Sequence, residues 1–145
     1  MSKRKLLRDA DPKAFQTMMA FEQYLAQTSL TKIHAEMIKI RVSQINGCAY
    51  CIDKHIKDAI SAGEDHRRIH LLSVWRETDF FSKEEQAILA LAEEMTLIAG
   101  KGVSDSTYDN AINVLGQQYT TEVMMGVIAM NAWNRIGITT ERRPE

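Results

Sequence analysis

The chain has 145 residues, and its 18 basic side chains nearly balance 19 acidic ones. This balance argues against a nucleic-acid partner and against an anionic membrane surface as partner. No apolar run approaches the roughly 18 residues that span a bilayer, and no signal-peptide core follows the basic start, so we expect a cytoplasmic protein. The length predicts one domain over residues 1–145 with a sizeable core.

The spacing of apolar residues and the scarcity of proline predict an all-α fold. The only prolines, Pro12 and Pro144, lie outside element interiors, and the stretches between them follow helical rather than alternating periodicity. Asp11-Pro12 is typical of an N-cap followed by the first helical residue, and it begins a helix through about residue 27. The inner face of this helix should carry Phe15, Met18, Met19 and Leu25.

Two further helices are predicted on either side of a turn at Asn46-Gly47. The first runs from about residue 31 to residue 45 and carries Glu36 beside one apolar stripe. The second runs from about Cys48 to residue 62 and ends at Gly63, because glycine most easily takes the left-handed conformation that closes a helix.

Four more helices complete a bundle of six to seven. A short one covers about residues 65–73, and the capping box of Ser82 and Glu85 begins another that ends near Gly100. A serine at 104 or 106 caps the next, which ends at about residue 115. The last, about residues 120–136, is apolar almost all round, which predicts that it is either central or buried between subunits.

Both cysteines of the chain lie in the segment Cys48-Ala49-Tyr50-Cys51. At about 100° per residue, Cys51 and His55 fall within about 60° of Cys48 around the helix axis, so the three side chains share one face. Residues three apart on a helix have Cα atoms roughly 5 Å apart, which suits a disulfide. The spacing therefore predicts a dithiol that can close reversibly.

Groups that handle a proton lie within reach of this dithiol. The helix N-terminus stabilises a thiolate and so lowers the pKa of the thiol. His55, one turn after Cys51, can accept the proton, and Glu36 can orient the imidazole and stabilise its cation. In a reducing cytoplasm a pair of this kind is typical of catalysis rather than of a structural crosslink.

Two other interpretations of these groups stay open at this point. Cys48, Cys51, His55 and Glu36 could together bind zinc, although the chain has no further cysteine for the usual second ligand pair. Alternatively, both thiols could be inert core residues, because free cysteine is among the most buried residue types. We assign no metal and no cofactor to the chain.

The string from Arg41 to His55, together with Glu36 and the segment Trp75-Arg76-Glu77, resembles the AhpD-like, or carboxymuconolactone decarboxylase-like, family. The similarity is strongest over about residues 30–100. It implies an AhpD-like helical bundle that assembles as a homo-oligomer, commonly a trimer or a hexamer.

The resemblance also implies an oxidoreductase, an antioxidant peroxidase of the alkylhydroperoxidase type. Cys51 would attack a small hydroperoxide and become a sulfenic acid, and Cys48 would resolve it to a disulfide, with Glu36 and His55 as proton relay. A dithiol donor would then restore the thiols.

Two points of the resemblance leave room for other chemistry. Well-studied members carry a histidine before the second cysteine, where this chain has Tyr50, so Tyr50 is a candidate auxiliary residue of undefined role. The family also includes a decarboxylase branch that generally lacks the cysteine pair. A lyase in which the pair is incidental is therefore the alternative function.

Overall fold

The computed structural model describes residues 4–145, and these residues form nine α-helices without a β-strand. The helices are α1 (Leu7–Ala10), α2 (Pro12–Ala26), α3 (Lys32–Asn46), α4 (Ala49–Ser61), α5 (His66–Leu71), α6 (Lys83–Thr96), α7 (Ile98–Lys101), α8 (Asp105–Leu115) and α9 (Gln117–Thr139), with a 3-10 segment over Leu72–Glu77 after α5. The all-α prediction is confirmed. The count of six to seven was too low, because α1 and α7 are single turns that are too short to produce a periodic pattern.

The predicted capping residues act where the sequence placed them. The Asp11 carboxylate accepts hydrogen bonds from the backbone N–H groups of Lys13 and Ala14, at 3.0 and 3.1 Å. Ser82 and Glu85 form both bonds of the capping box at the start of α6. Of the two candidate serines, Ser104 caps α8.

The helix that was expected to end near Gly100 stops earlier, because α6 ends at Thr96 and the chain turns at Leu97 before the separate α7. The Glu94 carboxylate accepts hydrogen bonds from the Ser104 N–H at 2.7 Å and from the Thr107 hydroxyl at 2.8 Å. These bonds tie the start of α8 to the end of α6, so a straight continuation of α6 would break them.

Helices α3 and α9 form the centre of the bundle. Helix α3 packs against α4, α6 and α9, and its buried residues are not confined to one stripe, since Ile38 and Val42 are buried as fully as Met37 and Ile40. Helix α9 contacts α2, α3, α4, α6 and α8, so it lies at the centre of the bundle that this chain forms. Its side chains Ile128 and Ile138 are nonetheless almost half exposed.

Helix α2 lies on the outside of the bundle and has no fully buried residue. Met19 lies on the inner face of α2, as predicted, but it lines a cavity there and its side chain stays 40% exposed. Phe15 is half-buried and meets Trp133 of α9 edge to face, and the Trp133 indole N–H donates to Glu22 at 2.9 Å. Helix α2 therefore covers a cavity instead of closing onto a filled core.

A largely buried carboxylate joins α3, α6 and the 3-10 segment. Glu93 of α6 accepts hydrogen bonds from Arg41 at 2.8 Å, from the Trp75 indole at 2.9 Å and from Arg76 at 2.5 Å. Burial alone would raise the pKa of Glu93, but its three donors outweigh burial and hold that pKa below its ordinary value. None of the helices between residues 4 and 145 has the length and apolar character to cross a bilayer.

Candidate active site

The two cysteines stand at the junction of α3 and α4. Gly47 closes α3 with a positive φ of 72°, which favours glycine, and Cys48 follows in an extended conformation as the N-cap of α4. Cys48 therefore lies just before the helix and not at its first residue, where the helix was predicted to begin. Because the cap position still projects toward the first turn, Cys48 reaches Cys51, and the expected disulfide is present, with a Cα–Cα distance of 5.3 Å.

The two sulfur atoms differ in their surroundings. Cys51 is 4% exposed and lines the large cavity under α2, whereas Cys48 is 2% exposed and does not line it. The backbone of α9 passes beside the pair at Gly137. A Cβ atom built on Gly137 would lie 3.3 Å from the Cys48 Sγ and 3.6 Å from the Cys51 Sγ. A methyl group at this position would press on the Cys48 sulfur and touch the Cys51 sulfur, so glycine leaves room for both.

The predicted partners Glu36 and His55 meet across the α3–α4 interface. The His55 Nδ1 lies 2.8 Å from Glu36 Oε2, and the second oxygen of Glu36 accepts a hydrogen bond from Lys39 at 3.2 Å. Burial by itself raises the pKa of Glu36, but the His55 hydrogen bond and the Lys39 charge outweigh it and lower that pKa. Glu36 is thus a carboxylate, and His55 must donate to it from Nδ1–H, which leaves Nε2 as the proton acceptor.

A second carboxylate approaches the same histidine. Asp58 Oδ2 lies 3.7 Å from His55 Nδ1, and it accepts a hydrogen bond from Lys54 at 2.7 Å. Burial raises the pKa of Asp58, yet the Lys54 hydrogen bond prevails and lowers it. This neighbour of His55 was missed from the sequence, although its i, i+3 spacing from His55 on α4 was readable.

One atom each from Glu36, His55 and Asp58 could ligate a metal ion, since these atoms lie within 4.8 Å of one another. Each of the two carboxylates already holds a lysine ammonium, from Lys39 and from Lys54, which adds positive charge at the same place. Both sulfurs are bonded to each other in this form. The four-ligand zinc arrangement considered from the sequence would therefore require the reduced pair.

The cavity beside Cys51 has a volume of about 360 Å³, within the range of roughly 300–1,000 Å³ that small-molecule sites occupy. Its walls come from α1, α2, α3, α4 and α9 and from residues that follow α9. Apolar side chains form most of them, namely Leu6, Leu7, Phe15, Met19, Met130, Trp133 and Ile136. His55 and Cys51 both face this space, so a small organic molecule can meet the sulfur and the imidazole together.

Tyr50 has a structural partner that the sequence did not reveal. Its half-buried ring lines the cavity, and the guanidinium carbon of Arg142 lies 3.9 Å from the ring centroid. Arg142 follows the last helix and carries no local pattern that would point to this contact. Gly137 was missed for the same reason, because its role depends on the approach of α9 to α4.

Comparison with known proteins identifies the family. The model of the carboxymuconolactone decarboxylase family matches residues 12–94, which is more than half of the chain and includes all four predicted site residues. The chain belongs to this family. The resemblance predicted from Glu36 and the cysteine motif is thereby confirmed.

Relatives of this carboxymuconolactone decarboxylase family member match over nearly the whole chain. The uncharacterized protein YdfG of Bacillus subtilis (strain 168) is 41% identical over 143 residues, which cover 99% of this chain and 97% of that protein. A structure from Agrobacterium tumefaciens, of a protein of unknown function described as a candidate antioxidant defence protein AhpD, has a TM-score of 0.96 and 31% identity, over 100% of this chain and 99% of that one. The AhpD-like bundle is thus established.

The same fold also occurs in a more distant enzyme. The debrominase Bmp8 superposes with a TM-score of 0.84 at 15% identity, over 94% of this chain and 74% of that one. At this identity the likeness concerns the fold alone. The fold of the carboxymuconolactone decarboxylase family thus supports more than one reaction, and the chemistry must be argued from the site.

Proposed function

We propose that this protein is a thiol peroxidase that reduces small organic hydroperoxides through a dithiol–disulfide cycle of Cys51 and Cys48. The observation that supports the proposal is the shared position of Cys51 and His55 on one cavity, with His55 held by Glu36 at 2.8 Å. A redox pair, a proton acceptor and a space for an organic substrate thus coincide.

The first step begins from the dithiol form. His55 takes the Cys51 proton, and the resulting thiolate attacks the terminal oxygen of the peroxide. The O–O bond breaks, the sulfur becomes a sulfenic acid, and the leaving alkoxide takes the proton back from His55 to become an alcohol. Cys51 suits the attacking role because it is the sulfur at the cavity wall.

The second step closes the disulfide. The Cys48 sulfur attacks the sulfenic sulfur of Cys51, a sulfur–sulfur bond forms and water leaves. One hydroperoxide and one dithiol thus become one alcohol, one water and one disulfide. The two electrons come from the thiols, and an external dithiol must return them by thiol–disulfide exchange at Cys51.

The Glu36 carboxylate serves this cycle by holding charge rather than by moving a proton itself. Its pKa is lowered, although burial opposes the shift, because His55 and Lys39 stabilise the anion. A fixed anion beside Nδ1 orients the imidazole and stabilises the imidazolium that forms when the thiol ionises. The predicted relay therefore operates through His55, with Glu36 as its positioning residue.

Two cysteine variants test the proposal. Cys51→Ser should lower hydroperoxide consumption with dithiothreitol by at least about 100-fold, because the attacking sulfur is gone. Cys48→Ser should still react once, leaving a sulfenic acid on Cys51 that dimedone traps and mass spectrometry locates. Unchanged hydroperoxide turnover in Cys51→Ser, or no dimedone adduct on Cys51 in Cys48→Ser, would contradict the proposal. An activity that survives alkylation of both thiols would instead favour the lyase of the decarboxylase branch.

We further propose a cytoplasmic homo-oligomer, a trimer or hexamer. The reducing compartment fits a cycle that needs a dithiol donor. Exposed apolar side chains support assembly, since Leu97 and Ile98 at the α6–α7 turn are each 59% exposed, and Ile128 of α9 is 45% exposed. Light scattering coupled to size-exclusion chromatography measures the molar mass of the assembly directly. The mass of a single chain would contradict the proposed oligomer.

A further inference from the structure

The lining of the large cavity carries more positive than negative charge. Four of its side chains are cationic and two are anionic: Arg8, Lys39, Lys54 and Arg142 against Glu22 and Asp58. The remaining walls are mainly apolar. A molecule that matches such a space has an apolar body and an anionic group.

Three of these cations already have a carboxylate partner. Lys39 pairs with Glu36 at 3.2 Å, Lys54 pairs with Asp58 at 2.7 Å, and Arg8 lies 3.4 Å from Asp9. Arg142 takes part in no ion pair within residues 4–145. Its charge is therefore the one that a bound anion would neutralise.

The backbone directs Arg142 back over the cavity. Glu141 adopts a left-handed φ of 54°, which is uncommon outside glycine, and the Arg142 N–H then donates to the Gly137 carbonyl at 2.9 Å. The Glu141 carboxylate also lies 3.3 Å from Arg4. The turn is thus tied at two points, and it places an exposed arginine at the mouth of the cavity.

The Tyr50 ring holds the guanidinium in a defined orientation. With the guanidinium carbon 3.9 Å from the ring centroid, one face of the group is covered. The N–H edge lies in the plane of the group and stays available to a carboxylate, which it can bind with two parallel hydrogen bonds. Tyr50 and Cys51 both line this cavity, so the anion site and the reactive sulfur open onto the same space.

We infer that the cavity selects hydroperoxides that carry a carboxylate, and that Arg142, stacked on Tyr50, receives that carboxylate. The inference rests on the proposed peroxidase function and names its substrate class. Arg142 is a specificity-determining residue in this view, and the apolar walls hold the body of the substrate while its peroxide meets Cys51.

A matched pair of substrates tests the selection. The probes are 4-carboxycumene hydroperoxide and its methyl ester, which share the peroxide and the ring but differ in charge. The wild-type protein should show a kcat/KM about tenfold higher for the acid. Arg142→Gln should abolish this preference and Arg142→Lys should retain part of it, whereas Arg143→Gln, at the next residue and outside the cavity lining, should leave it unchanged.

A binding measurement separates this inference from the peroxidase proposal. Calorimetry of 4-isopropylbenzoate and its methyl ester with the disulfide form needs no turnover, and the acid should bind about tenfold more tightly in an Arg142-dependent way. If neither hydroperoxide is consumed but this difference persists, the peroxidase proposal fails and the anion site stands. Equal affinity for acid and ester, or a preference that survives in Arg142→Gln, would overturn the inference.

Discussion

Glu36 of α3 and Glu93 of α6 are both largely buried carboxylates, with side chains 5% and 12% exposed, yet they hold different kinds of donor. Glu93 binds two arginines and a tryptophan, none of which loses its proton in the working pH range. Glu36 binds Lys39 and His55, and the imidazole of His55, a residue type that serves as a general acid or base, faces the cavity. A carboxylate bound by arginine and indole groups holds helices together. A carboxylate that holds an imidazole at a cavity can in addition assist proton transfer.

The largest expected effect comes from removing the charge of Glu36. Glu36→Gln keeps the shape of the side chain but withdraws the anion that orients and stabilises the His55 cation. We expect kcat/KM for cumene hydroperoxide to fall by about 100-fold, at the lower end of the range for general acid–base catalysis. Steady-state consumption of the peroxide with excess dithiothreitol measures the loss.

The matched control is Glu93→Gln, which removes a buried anion away from the cavity. Its activity should stay within about twofold of the wild type, while its free energy of unfolding in urea should fall by about 2 kcal/mol because three donors lose their charged acceptor. A folded Glu93→Gln protein without activity, or a fully active Glu36→Gln protein, would show that the two carboxylates do not divide their roles as described.

A smaller effect should appear in the pH dependence of stability. Burial opposes the shift, but the donors lower the pKa of Glu93 below its unfolded value of 4.5, so its contribution is fully present above pH 4.5 and is lost as the pH falls through the folded pKa. The difference in unfolding free energy between wild type and Glu93→Gln should therefore shrink below pH 4.5. A difference that grew on acidification would have the wrong sign for a lowered carboxylate pKa.

The smallest effect compares two glycines of α9. A methyl group on Gly137 would lie 3.3 Å from the Cys48 Sγ, whereas one on Gly126 would meet only the flexible ends of Leu30 and Ile38, at 3.6 and 3.8 Å. Gly126→Ala should stabilise the protein by about 0.5–1 kcal/mol, as alanine does within helices. Gly137→Ala should lose most of that gain and slow disulfide closure.

Thermal unfolding of both variants and the rate of disulfide formation after a peroxide pulse provide the readouts. If both alanine variants are stabilised equally and form the disulfide at the wild-type rate, the space that Gly137 leaves beside the sulfurs has no consequence. If disulfide formation also slows in Gly126→Ala, the cause is a general disturbance of helix α9 and not the contact at Gly137.

Local chemistry accounts for the features that were predictable from the sequence. Capping at Asp11 and Ser82 depends on residues two or three positions apart, and the approach of Cys51 to Cys48 follows from the helix period, so each could be read from a short window. The contact of Glu36 with His55 also followed from one short turn between neighbouring helices. The family assignment relied on the same segment.

Features that depend on contacts between residues far apart in the sequence were not predictable in the same way. The apolar residue Met19 looked like a core residue, but α2 covers a cavity, and periodicity alone does not distinguish a packed face from a cavity wall. The stack of Arg142 on Tyr50 joins the chain end to α4. The predicted trimer or hexamer stays a prediction, as do the catalytic roles of the four site residues.

The unequal settings of the two sulfurs have a practical consequence for chemical labelling. Cys51 borders a cavity that admits a small molecule, while Cys48 is 2% exposed and lies against the glycine backbone of α9. An alkylating reagent added to freshly reduced protein should therefore modify Cys51 before Cys48. A fluorophore could then be attached at one chosen sulfur in the unaltered chain.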